Sequence, residues 1–293
     1  MKDVHISRVD DVRLQWGESP HWDDTLQRLY FVDCATRRFM WLDPLAKAQV
    51  QFVELPSLPT AVYLTTDNDR VLVQLSDGLH TVSPSVGALM PSIAMPPGEG
   101  PFNDGVVDTS GAIVTGSLLF GLEGMPATGS YWRYSPAVGW AKLHEGKGNT
   151  NGPCVSADGQ HLYVADTTAG LIFRFNYHAS GRLDGEMLFA DTSSLGGRPD
   201  GATLDADGCL WSAIVGGACI AQFAPDGRLK RVVHIPASHP TSVAFGDQDL
   251  ENLYVTTIGA NLFGIEPKGE LSGALLKIEG LGSRGVVSSR YRF

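Results

Sequence analysis

RPDGATLDADGCLW, residues 198–211, reads as two short apolar strands joined at Asp207-Gly208. Asp-Gly suits a tight hairpin because both residues tolerate the backbone angles the turn requires. The same sentence of sequence recurs: a polar start, a short strand, a turn, a second strand. It is found in GESPHWDDTLQRLYFVD (17–33), LPTAVYLTTDNDRVLVQ (58–74), FNDGVVDTSGAIVTG (102–116), TNGPCVSADGQHLYVAD (150–166) and HPTSVAFGDQDLENLYVTT (239–257). A third strand is expected after each, in FMWLDP (39–44), GLHTVSP (78–84), YWRYSP (131–136), LIFRFN (171–176), IAQFAPDG (220–227) and LFGIEPKG (262–269). The starts lie about 40–50 residues apart, the period of a β-propeller blade. One small sheet cannot bury both of its faces, so such units stack around an axis.

Six units nearly fill the chain. The expected architecture is therefore all-β, a six-bladed β-propeller of four-stranded antiparallel blades, forming one domain over residues 1–293. The leading segment DVHISRVDDVRLQ (3–15) is expected to add an outer strand to the last blade near GALLKIEG (273–280). That pairing would tie the two chain ends together.

Composition narrows the function. Of 293 residues, 43% are hydrophobic, enough for a large core, and only 18% are charged, too few for long disordered segments. Net charge is -10 with no cluster of Lys or Arg, which argues against nucleic acid and anionic membrane as partners. The start MKDVHISRVDDVRLQWGE lacks the apolar core of a signal peptide, and no stretch approaches the ~20 apolar residues of a membrane span. The four cysteines form no C-x-x-C pair. The expectation is a cytoplasmic protein, monomer or homodimer, with buried reduced thiols.

Aligned on the first strand of each unit, one position reads Glu18, Pro59, Asn103, Asn151, Asp200 and Pro240. The first strand of a propeller blade is innermost, so these strand starts meet beside the axis. Asn and Asp commonly cap turns, and any one of them alone would be read that way. Two carboxylates and two amides in one register are different. Converging carboxylates need a partner, and no Lys or Arg occupies that position in any unit. A divalent cation answers the need. All-oxygen ligands favour Ca²⁺, with Mg²⁺, Mn²⁺ or Zn²⁺ as alternatives. The eight histidines show no H-E-x-x-H spacing. Asp205-Ala206-Asp207-Gly208 lacks the full EF-hand pattern and reads as a hairpin turn. No G-x-S-x-G elbow and no P-loop occur, and Cys154 reads as a packed core thiol. Trp16, Trp22, Phe102 and Phe120 either pack between blades or wall a pocket.

The pieces WGESPHWD with RLYFVD, FNDGVVDTSG, TNGPCVSADGQHLYVADT, RPDGATLDADGCLW and HPTSVAFGDQDLENLYVTT, in this order over residues 16–257, resemble the regucalcin and gluconolactonase family of six-bladed propellers. The resemblance implies one divalent metal held by Glu18, Asn151 and Asp200, with Asn103 beside it as ligand or substrate contact. It implies hydrolysis of a sugar-derived lactone to the open-chain acid, in carbohydrate catabolism. One departure bears on substrate. The family often has an arginine two residues before the Asn of N-D-G, where this chain has Pro101. Arg198, two residues before Asp200, could supply a cation instead, suited to a carboxylate or sulfonate on a uronic, aldaric or sulfonated sugar lactone. An ordinary loop arginine is the alternative.

For such a reaction Asp200 is the expected general base as well as a ligand, although a cation nearby would weaken it as a base and a hydroxide on the cation could attack instead. Asn103 and Asn151 would orient water or substrate. Two other classes remain: a non-catalytic calcium-binding propeller, and an arylesterase-type enzyme, for which His21 is the nearest candidate catalytic histidine.

Overall fold

β-Branched and aromatic runs separated by Gly, Pro and Asp turns fold into short strands, and their order along the chain sets the architecture. In the computed structural model, which describes residues 3–44, 49–96, 101–117, 128–262, 264 and 266–293, these strands form six four-stranded antiparallel sheets arranged as a six-bladed β-propeller. The innermost strands of blades one to six are Gly17–Asp23, Ala61–Leu64, Phe102–Val107, Thr150–Val155, Arg198–Leu204 and Pro240–Gly246. Each of the first five blades runs outward in chain order. The sixth is closed by the N-terminal strand His5–Arg8, which pairs antiparallel with Leu276–Glu279 in the register His5 to Glu279.

One sequence expectation fails here. Residues 262–269 are not the third strand of blade six; that strand is Leu276–Glu279, paired with Asn252–Thr257. Gly264, Pro267 and Gly269 disfavour a ladder at the earlier position, and both Gly264 and Gly269 have positive φ. Lys277 and Ile278 instead supply the strand alternation, with Ile278 fully buried.

The core lies between blades. Tyr30, Val32 and Phe39 of blade one pack on Val62, Leu64 and Val73 of blade two. Trp22 stacks on Tyr254 of blade six with ring centroids 5.8 Å apart. The second strands, such as Arg28–Asp33 and Val71–Leu75, are therefore buried on both faces, which explains their near-continuous apolar character. The hairpin turns at the far end of the inner strands are pinned by carboxylates. Asp205 Oδ1 accepts the Asp207 and Cys209 amides at 3.1 and 2.8 Å, and its Oδ2 accepts the Trp211 indole N–H at 2.9 Å.

The C-terminal segment crosses that same far end. The Ala206 amide donates to the Arg284 carbonyl, Gly285 donates to Leu250, and Tyr291 donates to Leu64. Arg290 Nη2 lies 2.7 Å from Asp23 Oδ1 and 2.8 Å from Asp24 Oδ1. The tail thus touches the inner hairpins of blades one, two, five and six. Its residues 286–289 floor an axial cavity of about 200 Å³ that His21, Asp104 and Cys154 also line. All four cysteines are buried and free. Among the described residues no helix is long and apolar enough to cross a membrane.

Candidate functional site

The strand starts at the other end of the axis are bulged. The register between the first and second strands slips between Glu18 and His21, between Phe102 and Gly105, between Asn151 and Cys154, and between Pro199 and Ala202. The inner strand of blade two pairs without a slip, and that of blade six, which begins at Pro240, slips between Pro240 and Ser242. A bulge re-aims side chains that a regular strand would alternate between faces. Here it lies at every strand that carries Glu18, Asn103, Asn151 or Asp200. Ser19 and Gly152, the residues following two of them, take φ of 49° and 53°.

The two amides are in direct contact. Asn103 Nδ2 donates to Asn151 Oδ1 at 2.7 Å and to the Thr150 carbonyl at 2.8 Å. Asn151 is buried, and its carbonyl lies 3.1 Å from the Tyr131 hydroxyl. The carboxylates form the other half of the site. Glu18 Oε1 accepts the Trp16 indole N–H at 3.2 Å. Burial raises the Glu18 pKa well above its usual range, and the charges of Asp200 and Asp104 raise it further. Burial likewise pushes Asp200 up, with Asp104 adding to it. Among the described residues no Lys or Arg pairs with any of these three carboxylates.

Asp104 is the residue that the repeat alignment passes over. Its Oδ2 accepts the Gly152 amide at 3.0 Å across the seam to blade four, and its Oδ1 accepts the Gly105 amide at 2.8 Å. Burial raises its pKa to about 6 in spite of those two donors. The signal in the sequence is the N-D-G triplet itself.

Two more aspartates brace the approach to the site. Asp33 accepts the Gln15 and Trp16 amides at 2.9 and 3.1 Å, fixing the chain just before Glu18. Asp166 accepts the Gly148 amide at 2.9 Å, just before Asn151.

Arg198 is exposed on the rim, where its Nη1 donates to the Thr168 carbonyl at 3.0 Å. The neighbouring Thr167 hydroxyl receives Asn151 Nδ2 at 2.9 Å, so rim and site share one turn. Trp16 reaches the site, whereas Trp22 and Phe102 are packed in the interior. Phe120 lies outside the described residues. Cys154 is packed and its thiol is pushed up by burial. His21 lies along the axial cavity rather than at the strand starts, with Nδ1 3.3 Å from the Ser19 carbonyl, and burial lowers its pKa.

Among the described residues, no three His, Cys, Asp or Glu side chains are grouped so as to hold a metal alone. A cation here would therefore need amide oxygen as well as carboxylate. The donor set fits that demand. Among the described residues no side-chain or backbone donor is bonded to Asn103 Oδ1, whose amide nitrogen makes both of that side chain's hydrogen bonds. Hard oxygen donors of mixed charge suit Ca²⁺ or Mg²⁺.

Residues 16–259 match the SMP-30/gluconolactonase/LRE-like region. The chain is 29% identical over 280 residues to pentonolactonase XacC of Haloferax volcanii, covering 94% of each chain. It is 30% identical over 250 residues to the 6-deoxy-6-sulfogluconolactonase of Pseudomonas putida, covering 84% of each. A solved luciferin-regenerating enzyme superposes with a TM-score of 0.91 at 26% identity, covering 99% of this chain and 100% of that one. With its six bladed sheets, its bulged polar strand starts and a match across most of its length, this chain belongs to the SMP-30/gluconolactonase/LRE-like family.

Proposed function

We propose that the protein hydrolyses a sugar-derived lactone to the open-chain sugar acid, using one divalent cation held by Glu18, Asn151 and Asp200. The observation that carries this reading is three carboxylates, Glu18, Asp104 and Asp200, within electrostatic reach of one another and of no cationic side chain among the described residues. Left as they stand they repel; with a cation they become a binding site. The relatives named pentonolactonase and 6-deoxy-6-sulfogluconolactonase support the reaction class. Ca²⁺ is the ion this donor chemistry favours.

When bound, the cation would polarise the lactone carbonyl as a Lewis acid. The chain's own groups would do the rest. Asp200 takes a proton from the attacking water as its oxygen bonds to the carbonyl carbon. The ring C–O bond then breaks, and the departing ring oxygen takes that proton from Asp200 to become a hydroxyl, which returns Asp200 to its starting state. Asn103, with both N–H groups occupied, presents its Oδ1 to water or a sugar hydroxyl. Arg198, which donates from Nη1 to the Thr168 carbonyl and is free of an ion pair among the described residues, suits a carboxylate or sulfonate on the substrate.

The test is acid release from a panel of neutral aldonolactones, uronic and aldaric lactones and a sulfonated sugar lactone. Metal-stripped protein should be inactive, and added Ca²⁺ should restore turnover. Arg198→Ala should raise KM roughly tenfold for the acidic lactones and leave neutral ones unchanged. Tight Ca²⁺ binding without turnover of any lactone would make this a binding propeller instead.

A further inference from the structure

The two site asparagines belong to a hydrogen-bonded chain whose direction is fixed at its first link. Thr150 O is a carbonyl and can only accept, so the Asn103 atom beside it must be the amide nitrogen. Its second N–H then meets Asn151 through oxygen. That sets Asn151 Nδ2 on the far side, where it donates to Thr167 Oγ1 at 2.9 Å. The Thr167 hydroxyl proton in turn goes to the Pro199 carbonyl at 2.7 Å. The chain runs from blade three through blade four to blade five and ends on the residue immediately before Asp200.

Thr167 is the one link supplied by an outer position, the turn after the second strand His161–Asp166 of blade four. It both accepts from the Asn151 side chain and donates to the backbone that carries Asp200. We infer that Thr167 is a positioning residue, which locks the Asn151 amide with its oxygen toward the site and ties that amide to the Asp200 strand. The inference rests on the proposed cation site, because the oxygen so aimed is one of its donors. A residue that orients a metal ligand through its other polar atom is typically worth roughly ten- to a hundredfold in metal affinity.

Thr167→Val keeps the shape and removes the hydroxyl, while Thr167→Ser keeps the hydroxyl. Calorimetric titration with Ca²⁺ should show T167V about tenfold or more weaker than wild type and T167S within about threefold of it. Equal affinity in T167V, or T167S as weak as T167V, would overturn the assignment. A second readout needs neither variant nor metal. In the wild-type protein the Asn151 side-chain amide resonance should show one slowly exchanging proton, that donated to Thr167. Fast exchange of both protons would overturn the assignment even if T167V did not fold. Should the wild type bind no divalent ion, the cation reading fails by itself, and this resonance alone decides the role of Thr167.

Discussion

Asp104 carries the largest consequence of any single side chain. It stands with Glu18 and Asp200, and burial holds all three above their ordinary carboxyl pKa, Asp104 at about 6. A carboxyl raised in the folded state stabilises the fold fully below its free value near 4 and loses that contribution as pH rises through the folded value. Metal-free protein should therefore melt at lower temperature at pH ~7.5 than at pH ~5, and saturating Ca²⁺ should reduce or abolish the fall. Calorimetric scans across pH with and without the ion check both halves. Asp104→Asn should flatten the metal-free dependence, because one of the three charges is gone. The repeat alignment selects Asn103 and passes over Asp104, although the N-D-G triplet holds both. In a regular strand, residues 103 and 104 point to opposite faces. The slip between Phe102 and Gly105 breaks that alternation, and nothing in a period-two reading announces it.

The bulged inner strand is the element on which the site depends. Gly152 illustrates its tightness: φ is +53°, and a Cβ there would lie 2.6 Å from the Asp200 carbonyl oxygen. Backbone cannot step aside as a flexible side chain can. Gly152→Ala should cost about 1–3 kcal/mol of stability and should weaken Ca²⁺ binding, since the strand it pushes is the one carrying Asp200. Parallel measurement of melting and of ion affinity separates the two effects. At this scale the sequence was largely readable, because Asp-Gly and Ser-Gly turns and β-branched runs mark each hairpin. Gly111, Gly159 and Gly208 take the positive φ those turns require. The misplaced third strand of blade six has an equally local origin. Residues 262–269 carry a short apolar run, but Pro and Gly follow it, and the paired strand comes after a further turn.

At the scale of the whole molecule, closure is achieved twice. The N-terminal strand completes blade six as its fourth, outer strand, as the repeat count required, and so pins the start of the chain to its last blade. The second closure, the C-terminal tail, has no strand pattern and could not be read from GLGSRGVVSSRYRF; only the fold brings its contacts together. Arg290 is its anchor. Burial by itself would raise the Asp23 carboxyl, but bonding to Arg290 and to the Leu26 and Thr25 amides pulls it below the usual range. Removing the guanidinium would leave that buried charge unpaired, so Arg290→Ala should lose roughly 3 kcal/mol in denaturant unfolding. Because Arg290 lies at the end of the axis away from Glu18, Asn151 and Asp200, ion affinity in the folded variant should change little.

The central claim is that the polar strand starts of four blades exist to hold one cation. The most direct measurement is an anomalous difference map from crystals of the protein soaked in Mn²⁺, a detectable stand-in for Ca²⁺ at oxygen ligands. The account predicts a single strong peak on the axis, bounded by Glu18, Asn151 and Asp200, and its loss in Asp200→Ala. A peak elsewhere, or an empty axis beside three raised carboxyls, would contradict it.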